Sequence, residues 1–295
     1  MARVVITGGS GKLGRAVVRE FVEHGYEVVN IDRAPSPDSP AGVKFTRADL
    51  TDYGQVVEAL SRVDDRYTGV DGVVHLAAIP APGQFTNSAT FKNNVPTTYN
   101  VFEAARAVGI TRVVWASSET LIGLPFEAAP PYDALENDPP YLPIDEEYTV
   151  RPNSVYSLGK ALEEEMARHF ARWAPDNAYI GLRFSNVMDD ADYAEFPSFE
   201  ANPLIRKWNA WGYIDARDGA QACRLALESD LTGFEAFLIA AEDTTMSTPS
   251  AELAASVFPN VSFTRPVEGT ETLLSIDKAK RLLGYAPKYT WRDRI

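Results

Sequence analysis

The strongest constraint on the fold is the opening of the sequence, where a β-branched run, "RVVIT" at 3–7, leads through the glycine-rich turn "TGGSGKLG" into a helical pattern. A second β-like run, "YEVVNID", follows and ends at Asp32, and Gly25 stands where the intervening helix would stop. A strand, a helix and a strand in this order predict a βαβ unit with parallel strands. Glycines between strand and helix also predict a phosphate-binding turn at one edge of the sheet.

Short apolar runs continue to alternate with helical patterns through "VKFTRADL", "GVVHLAA" and "RVVWASS". Near-continuous apolar strands are expected when helices cover both faces of a parallel sheet. We therefore predict the α/β class, with a doubly wound parallel sheet (Rossmann fold) and a small C-terminal substrate-binding part. Residues 1–185 are predicted to form the dinucleotide-binding domain, and residues 186–295 mainly the substrate-binding part, with some elements returning to the core. Within residues 1–185, the prolines in 121–153 predict a long ordered loop.

The glycine turn carries the first prediction of chemistry. Gly8, Gly11 and Gly14 let the backbone approach a pyrophosphate closely, and the N–H groups at the helix start, around Lys12 and Leu13, stabilise its charge. The alternative is a tight turn needed only for packing. Asp32 favours the first interpretation because an acid about twenty residues on is placed to bind an adenosine ribose.

The same acid bears on the choice of cofactor. A carboxylate at Asp32 repels a 2′-phosphate, so NAD is predicted rather than NADP. Arg33, directly after it, could pair with that phosphate and keeps NADP as the alternative.

Composition excludes several classes of function. With 41 acidic against 28 basic residues, the formal net charge of −13 disfavours binding to nucleic acids and anionic membranes. Three histidines without metal-ligand spacing predict no metal site, and Cys223 lies in a helical pattern that predicts a buried small residue. No charged and apolar leader or membrane-spanning apolar run is seen, so a cytoplasmic location is expected.

The stretch "SVYSLGK" at 154–160 sets Tyr156 and Lys160 on one face of a predicted helix. A nearby ammonium favours the phenolate and would lower the tyrosine pKa from about 10 toward the range of a general base. Such a pair is common on helices without any catalytic role. Its place after a dinucleotide-binding half favours the catalytic interpretation.

Taken together, these pieces make the sequence resemble the extended short-chain dehydrogenase/reductase superfamily, in its NAD-dependent epimerase/dehydratase group. The resemblance covers nearly the whole chain. The matching pieces are "TGGSGKLG", Asp32, "ADL" at 48–50, "VVHLAA" at 73–78, "NNV" at 93–95, "ASS" at 116–118, "YSLGK" at 156–160, "LRFSNV" at 182–187 and "LLGYAP" near the end.

The resemblance implies an NAD-dependent enzyme and assigns its residues. Counting back from Gly123 selects Ser118 as the catalytic serine, with Ser117 as the alternative register and a cofactor contact. Lys160 would also bind the nicotinamide ribose. The remaining cofactor residues implied are Asp49 and Leu50 beside the adenine, Leu76, Ala77 and Ala78 along the central portion, Asn94, which helps to hold strand and cofactor, and Phe184.

Departures from the family pattern bear on the substrate. Dehydratases place an Asp-Glu pair after the catalytic serine or threonine, whereas Glu119 and Thr120 stand here, which disfavours elimination chemistry. Nucleotide-sugar epimerases have a longer segment ending in a diphosphate-binding arginine. Here about two dozen residues separate Asn186 from Tyr213 and Trp211 stands near that arginine's place, so a smaller substrate is expected.

The segments "VVHLAAIPAPGQF" and "NVFEAARAVGITRVVWASS" resemble the uronate dehydrogenase branch more closely than the epimerases. That branch oxidises free sugar acids. The Asn-His pair of that branch is replaced by Glu119 and Thr120. Arg206 is the candidate to pair with a substrate carboxylate, against the alternative of a solvated arginine. A contact with Glu119 would instead suit neutral hydroxyls or a cation, since an unpaired carboxylate repels an acid. The predicted substrate residues are Ile79, Gln84, Ser118, Glu119, Thr120, Asn186 and Arg206.

The sequence thus predicts an NAD-dependent oxidoreductase acting on a sugar or sugar-derived alcohol. An epimerase with tightly bound NAD and a non-catalytic NAD-sensing protein are the alternatives. His75 is expected to pack at a strand end, and "EEE" at 163–165 to be a solvated helix face. By the resemblance, helices at about 91–107 and 154–173 pair across a two-fold axis, which leads to the expectation of a homodimer.

Overall fold

The computed structural model describes residues 2–63, 66–124 and 138–294. Its strands are β1 (Arg3–Thr7), β2 (Glu27–Asp32), β3 (Lys44–Arg47), β4 (Arg62–Val63), β5 (Tyr67–Thr68), β6 (Gly72–His75), β7 (Arg112–Ser118), β8 (Tyr141–Leu142), β9 (Ala178–Phe184), β10 (Val187–Met188), β11 (Ile214–Asp215), β12 (Gly233–Ile239) and β13 (Ser262–Phe263).

Its helices are α1 (Lys12–Glu23), α2 (Tyr53–Ser61), α3 (Asn87–Ala107), α4 (Val155–Trp173), α5 (Phe196–Phe199), α6 (Ala216–Glu228), α7 (Ser250–Val257) and α8 (Asp277–Leu283). Short 3-10 helices lie at Glu119–Ile122, Asp192–Glu195, Pro203–Asn209 and Trp291–Asp293. None of the helices in the described ranges has both the length and the apolar character that crossing a membrane requires.

Seven strands form one parallel sheet in the order β12-β9-β7-β6-β1-β2-β3. The chain moves outward from β1 to β3 and then crosses to β6 on the other side of β1. The carboxyl ends of β1 and β6 therefore lie at the point where the strand order reverses, which is where doubly wound sheets bind ligands. The predicted doubly wound parallel sheet is confirmed.

Apolar side chains cover both faces of the sheet. One core lies under α1 and α6 and includes Val17, Phe21 and the thiol-bearing Cys223, which is buried as predicted. The other lies under α2, α3 and α4, where the Phe102 ring packs edge-on against Trp115 with ring centroids 5.1 Å apart. Two-sided burial explains why the strands read as continuous apolar runs.

Helix α3 begins at Asn87, capped by the Thr86 hydroxyl, and runs through Pro96. This start lies about one turn before the helix at about 91–107 that the resemblance implied. Residues 87–95 are largely polar, so apolar periodicity does not mark this first part of the helix.

The chain beyond Asn186 has two roles in the fold. The short parallel pair β10 and β11 and the 3-10 helices at 192–195 and 203–209 build a region after β9. Strand β12 then returns to the large sheet beside β9, and α6 packs on α1. The division at residue 185 stays a prediction. Of the predicted loop at 121–153, residues 125–137 lie outside the described part of the chain.

Candidate active site

A cavity of about 990 Å³ runs from the glycine turn to the start of α4. It lies at the carboxyl edge of the sheet, where the topology places a ligand. Of the predicted residues, those that line it are Gly8, Gly11, Lys12, Leu13, Gly14, Asp32, Arg33, Asp49, Leu50, Leu76, Ala77, Ala78, Ile79, Ser117, Ser118, Glu119, Thr120, Tyr156, Lys160, Phe184 and Asn186. Asn94, Gln84 and Arg206 do not line it.

The glycine turn fits a pyrophosphate. Gly8 has φ +73°, and a Cβ on it would come 2.7 Å from the backbone nitrogen of Ala77. A Cβ on Gly14 would come 2.0 Å from the carbonyl oxygen of Gly8, so α1 packs closely against the turn. Gly11 precedes α1 and offers no side chain to its first N–H groups, which belong to residues that line the cavity. Such N–H groups suit an anionic ligand.

Asp32 is fixed at the wall of the cavity by two backbone donors. Its Oδ2 accepts a hydrogen bond from Ser10 N at 3.0 Å, and its Oδ1 accepts one from Arg33 N at 2.6 Å. The Arg33 guanidinium donates to Asn93 Oδ1 at 2.8 Å and is thereby directed toward α3. A carboxylate held in this way fits the ribose hydroxyls of an NAD-type dinucleotide.

The reactive end of the cavity combines Ser118, at the end of β7, with Tyr156 in the first turn of α4. Ser118 Oγ accepts hydrogen bonds from Thr120 N at 3.2 Å and from Thr120 Oγ1 at 2.9 Å, and its side chain also bonds with Tyr156. Ser154 begins α4 by capping it reciprocally with Ser157, which fixes the first turn. The structure therefore brings the predicted serine and tyrosine together.

The net lowering of the Tyr156 pKa that the sequence predicted is wrong. Burial raises the pKa of Tyr156, and the opposing effects of the Lys160 charge and the Ser118 hydrogen bond are smaller. The charge of Lys160 lowers the pKa of Tyr156, as the sequence predicted. Its ammonium lies 5.9 Å from the centre of the Tyr156 ring.

Two contacts hold the ammonium of Lys160. Its Nζ donates to the carbonyl oxygen of Ala116 at 2.7 Å and to Glu163 Oε2 at 2.9 Å. Burial would lower the pKa of Lys160, but the negative charge of Glu163 and the other nearby acidic groups outweigh it, and the pKa is raised. Lys160 therefore stays protonated at neutral pH.

The prediction that "EEE" at 163–165 is a solvated face is wrong for two of its three residues. Glu163 and Glu164 are buried, and only Glu165 is exposed. Glu164 accepts from Arg183 Nε at 2.9 Å and Nη2 at 2.8 Å, and from Ser117 Oγ at 2.7 Å. The signal that could have found Glu163 is its spacing of three from Lys160, which places both on one helix face.

Glu119 is a buried acid on the substrate side of the cavity. Its Oε2 accepts from Ser185 Oγ at 2.5 Å and its Oε1 from Asn209 Nδ2 at 3.4 Å. Burial raises the pKa of Glu119 to about 8, although these hydrogen bonds and the charge of Arg206 lower it. At pH 7 the carboxyl group is therefore mostly neutral.

The alternative interpretation of Arg206 as a solvated arginine is wrong. The side chain is buried, its Nη2 donates to the carbonyl oxygen of Gly212 at 3.0 Å, and its guanidinium lies 5.3 Å from the Phe199 ring and 5.2 Å from the Trp208 ring. Its positive charge acts on Glu119. A contact between Arg206 and a substrate carboxylate stays a prediction.

Other predicted residues support the walls. Asn94 Oδ1 accepts from Ile79 N at 2.8 Å and its Nδ2 donates to Ile79 O at 3.0 Å, so it holds the chain after β6. His75 is buried as expected, with its ring nitrogens bonded to Thr7 at 2.7 Å and Thr98 at 3.2 Å. Burial and the charge of Lys160 lower the pKa of His75 to about 3, so the ring is neutral.

Sequence reasoning missed several residues of the cavity wall: Asn93, Thr97, Ala116, Ser185 and Trp208. Trp208 lines the cavity, whereas Trp211, the tryptophan that the comparison with the family pattern singled out, is fully buried. Asn93 and Thr97 lie on α3, on either side of the Asn94 that the resemblance indicated. Their spacing of four could have indicated a shared face.

The model of the NAD dependent epimerase/dehydratase family matches residues 4–240. The chain belongs to this family. The resemblance stated from the sequence, and with it an enzyme family that uses NAD, is confirmed at this level.

Relatives in the family have different activities. An L-arabinose 1-dehydrogenase (NAD(P)(+)) of Haloferax volcanii is 31% identical over 98% of this chain and 97% of that protein. A uronate dehydrogenase of Agrobacterium fabrum is 32% identical over 62% of this chain and 61% of that protein. UDP-glucose 4-epimerase 2 of Oryza sativa subsp. japonica is 27% identical over 62% of this chain, and the match spans only 44% of that protein's length.

Solved structures agree with the fold. A UDP-galactose 4-epimerase is 25% identical with a TM-score of 0.66, covering 99% of this chain and 95% of that chain. A mutated uronate dehydrogenase has the same TM-score of 0.66 at 21% identity, covering 100% of this chain and 85% of that chain. The family thus includes both dehydrogenases and epimerases.

Proposed function

We propose that this family member is a dehydrogenase of free neutral sugars, which oxidises the anomeric hydroxyl of an aldose to a lactone while NAD⁺ becomes NADH. One observation carries the proposal. Ser118, Tyr156 and Lys160 meet at one end of a cavity whose other end has the glycine turn and Asp32. A general base and a dinucleotide site in one cavity fit hydride transfer.

The residues have the following roles in this reaction. Ser118 donates a hydrogen bond to the reacting oxygen and orients it, and Tyr156 takes the proton of the hydroxyl as general base. Lys160 stabilises the phenolate that accepts this proton. Bound NAD would accept the hydride that leaves the anomeric carbon bearing this hydroxyl. Gly8, Gly11 and Gly14 would hold its pyrophosphate and Asp32 its adenosine ribose.

The substrate side of the cavity supports a neutral sugar. Glu119 lines the cavity, and as a mostly neutral carboxyl group at pH 7 it can donate a hydrogen bond to a sugar hydroxyl but offers no positive charge to a substrate carboxylate. Arg206, the candidate partner for a substrate carboxylate, does not line the cavity and is bonded to Gly212. A relative that matches almost the full length of the chain is an arabinose dehydrogenase, which agrees with a neutral sugar.

The second candidate is an epimerase with tightly held NAD. The UDP-glucose 4-epimerases among the relatives favour it, because the same residues could return the hydride to the substrate. The short segment between Asn186 and Tyr213 favours a substrate smaller than a nucleotide sugar.

The test is a panel of substrates offered to the purified protein with NAD, with NADH followed by its absorbance at about 340 nm. The panel pairs neutral aldoses with the uronic acids of the same configuration and includes UDP-glucose. We expect NADH with a neutral aldose and a roughly 10²- to 10⁴-fold loss of kcat in Y156F. Y53F, a change at an exposed tyrosine of α2, is the matched control. Interconversion of UDP-sugars without NADH would instead establish the epimerase.

A further inference from the structure

A buried ion pair lies directly behind the phenol of Tyr156. Glu163 is 0% exposed, and its Oε2 lies 2.9 Å from the ammonium of Lys160. Positions 156, 160 and 163 repeat with the helical period, so α4 presents a phenol, an ammonium and a carboxylate along one face. A carboxylate without water remains an anion only when a cation or hydrogen-bond donors compensate it. The charge of Lys160 and its hydrogen bond are the largest effects that favour the Glu163 anion, although burial outweighs them and raises the pKa of Glu163 above its ordinary value.

The elements around this pair supply few further charges. Glu164, next on α4, is paired with Arg183 of β9. Thr98 of α3 bonds to Glu163 and connects it to His75 of β6. His75 is neutral because its pKa is lowered to about 3.

Glu119, which follows β7, is a further charged group that acts on the phenol. In the described part of the chain, Lys160 is the cation that contacts Glu163. The electrostatic effect of charged side chains on the Tyr156 phenol therefore comes mainly from Lys160 and Glu163.

We propose that Glu163 is a positioning residue that fixes the ammonium of Lys160 and offsets part of its positive charge at Tyr156. This rests on the proposed role of Tyr156 as general base. The carbonyl oxygen of Ala116 and the carboxylate of Glu163 take two of the three ammonium donors, which leaves the third to be directed at a ligand in the cavity. The sequence interpretation of a solvated acid gave Glu163 no such role.

The direction of the effect follows from the charges. Without the carboxylate, the ammonium of Lys160 favours the phenolate without opposition, so Tyr156 loses its proton at lower pH. E163Q keeps the shape and removes the charge, and we expect the titration of Tyr156 to move down by roughly one pH unit. E163M removes the same charge without a buried amide and is expected to shift the titration in the same direction. E163D keeps a carboxylate and is expected to titrate near the wild type.

The direct measurement uses the ligand-free protein. Tyrosine labelled with ¹³C at Cζ reports the protonation of each phenol by NMR, and the Tyr156 signal is assigned by its absence from Y156F. The second measurement is the acidic limb of the pH profile of kcat, which is expected to move with the phenol. The matched control is E165Q, on the same helix, where the side chain is 59% exposed and pairs with Arg168 and His169.

A lower titration point for Tyr156 in E163Q and E163M, with E163D and E165Q unchanged, supports the proposal. If kcat falls in E163Q while the Tyr156 titration and the acidic limb of the pH profile stay at their wild-type positions, Glu163 has only a structural role. That result would overturn the proposal. Unchanged behaviour of E163Q in both measurements would overturn it as well. Full activity of Y156F would refute the proposed function instead, whatever Glu163 does, so the two failures are distinguishable.

Discussion

At the scale of single residues, the site is governed by acids that the fold has removed from water. Glu163 and Glu164 are compensated by Lys160 and Arg183, which lie within hydrogen-bond distance. Glu119 is compensated by the hydroxyl of Ser185, the charge of Arg206 and the amide of Asn209, and burial still raises its pKa to about 8. A neutral carboxyl group can donate a hydrogen bond to a sugar hydroxyl, which an ionised one cannot do.

The raised pKa of Glu119 predicts a particular pH dependence of stability. Between the ordinary value of 4.5 and about 8, the unfolded chain has lost this proton while the folded chain keeps it. The contribution of Glu119 to the free energy of unfolding is therefore full below pH 4.5 and is lost as the pH rises toward 8. The loss is about 1.4 kcal/mol for each pH unit within that interval.

Urea unfolding of the wild type and E119Q at pH 5, 6, 7 and 8 measures this effect. We expect the free energy of unfolding of the wild type to fall relative to E119Q as the pH rises. His75 titrates with the opposite sign, since its pKa is lowered, but it is present in both proteins and cancels in the difference. Parallel pH dependences of the two proteins would contradict the neutral carboxyl group.

At the scale of elements, α4 has one face toward the cavity and another that exposes apolar side chains. One presents Tyr156 and Lys160 to the cavity. The other carries Leu158, Leu162 and Trp173, which are 43%, 38% and 60% exposed and share one helix face. Tyr99 of α3, 47% exposed, lies beside them, since its ring is 6.3 Å from that of Phe170. Apolar side chains concentrated on two packed helices are typical of a protein interface.

We propose that this face of α3 and α4 pairs two copies of the chain. Light scattering after gel filtration is expected to give twice the chain mass of 32.4 kDa. The double variant L162E/W173E is expected to give the single mass because charges buried in an apolar interface are costly. F263E, at an exposed phenylalanine of β13, is the matched control and should remain dimeric. A wild type that elutes at 32.4 kDa would refute the pairing.

At the scale of the whole molecule, the sequence predicted what is local or periodic. The parallel sheet follows from apolar runs that alternate with helical patterns. The convergence of the glycine turn, Ser118 and Tyr156 follows because parallel strands bring their carboxyl ends to one edge. What could not be predicted depends on partners distant in the chain. Glu119 meets Asn209 across 90 positions, and no local pattern predicts that contact.

Charge explains the error at "EEE". Acidic runs on helices usually face water, and the burial of Glu164 depends on Arg183, 19 positions away on another element. The same limit applies to Arg206, whose burial depends on the packing of 203–212 and on aromatic neighbours. The burial of these charged residues thus follows from contacts that only the folded chain shows.

The most direct test of the proposed function follows the hydride itself. A neutral aldose that yields NADH in the substrate panel is labelled with deuterium at C1 and incubated with the protein and NAD⁺, and the products are analysed by mass spectrometry. We expect one deuterium in the reduced cofactor, an unlabelled lactone and transfer that is at least roughly 10²-fold slower in Y156F. Deuterium that remains on the sugar while NADH forms, or transfer at the wild-type rate in Y156F, would contradict the function proposed for this site.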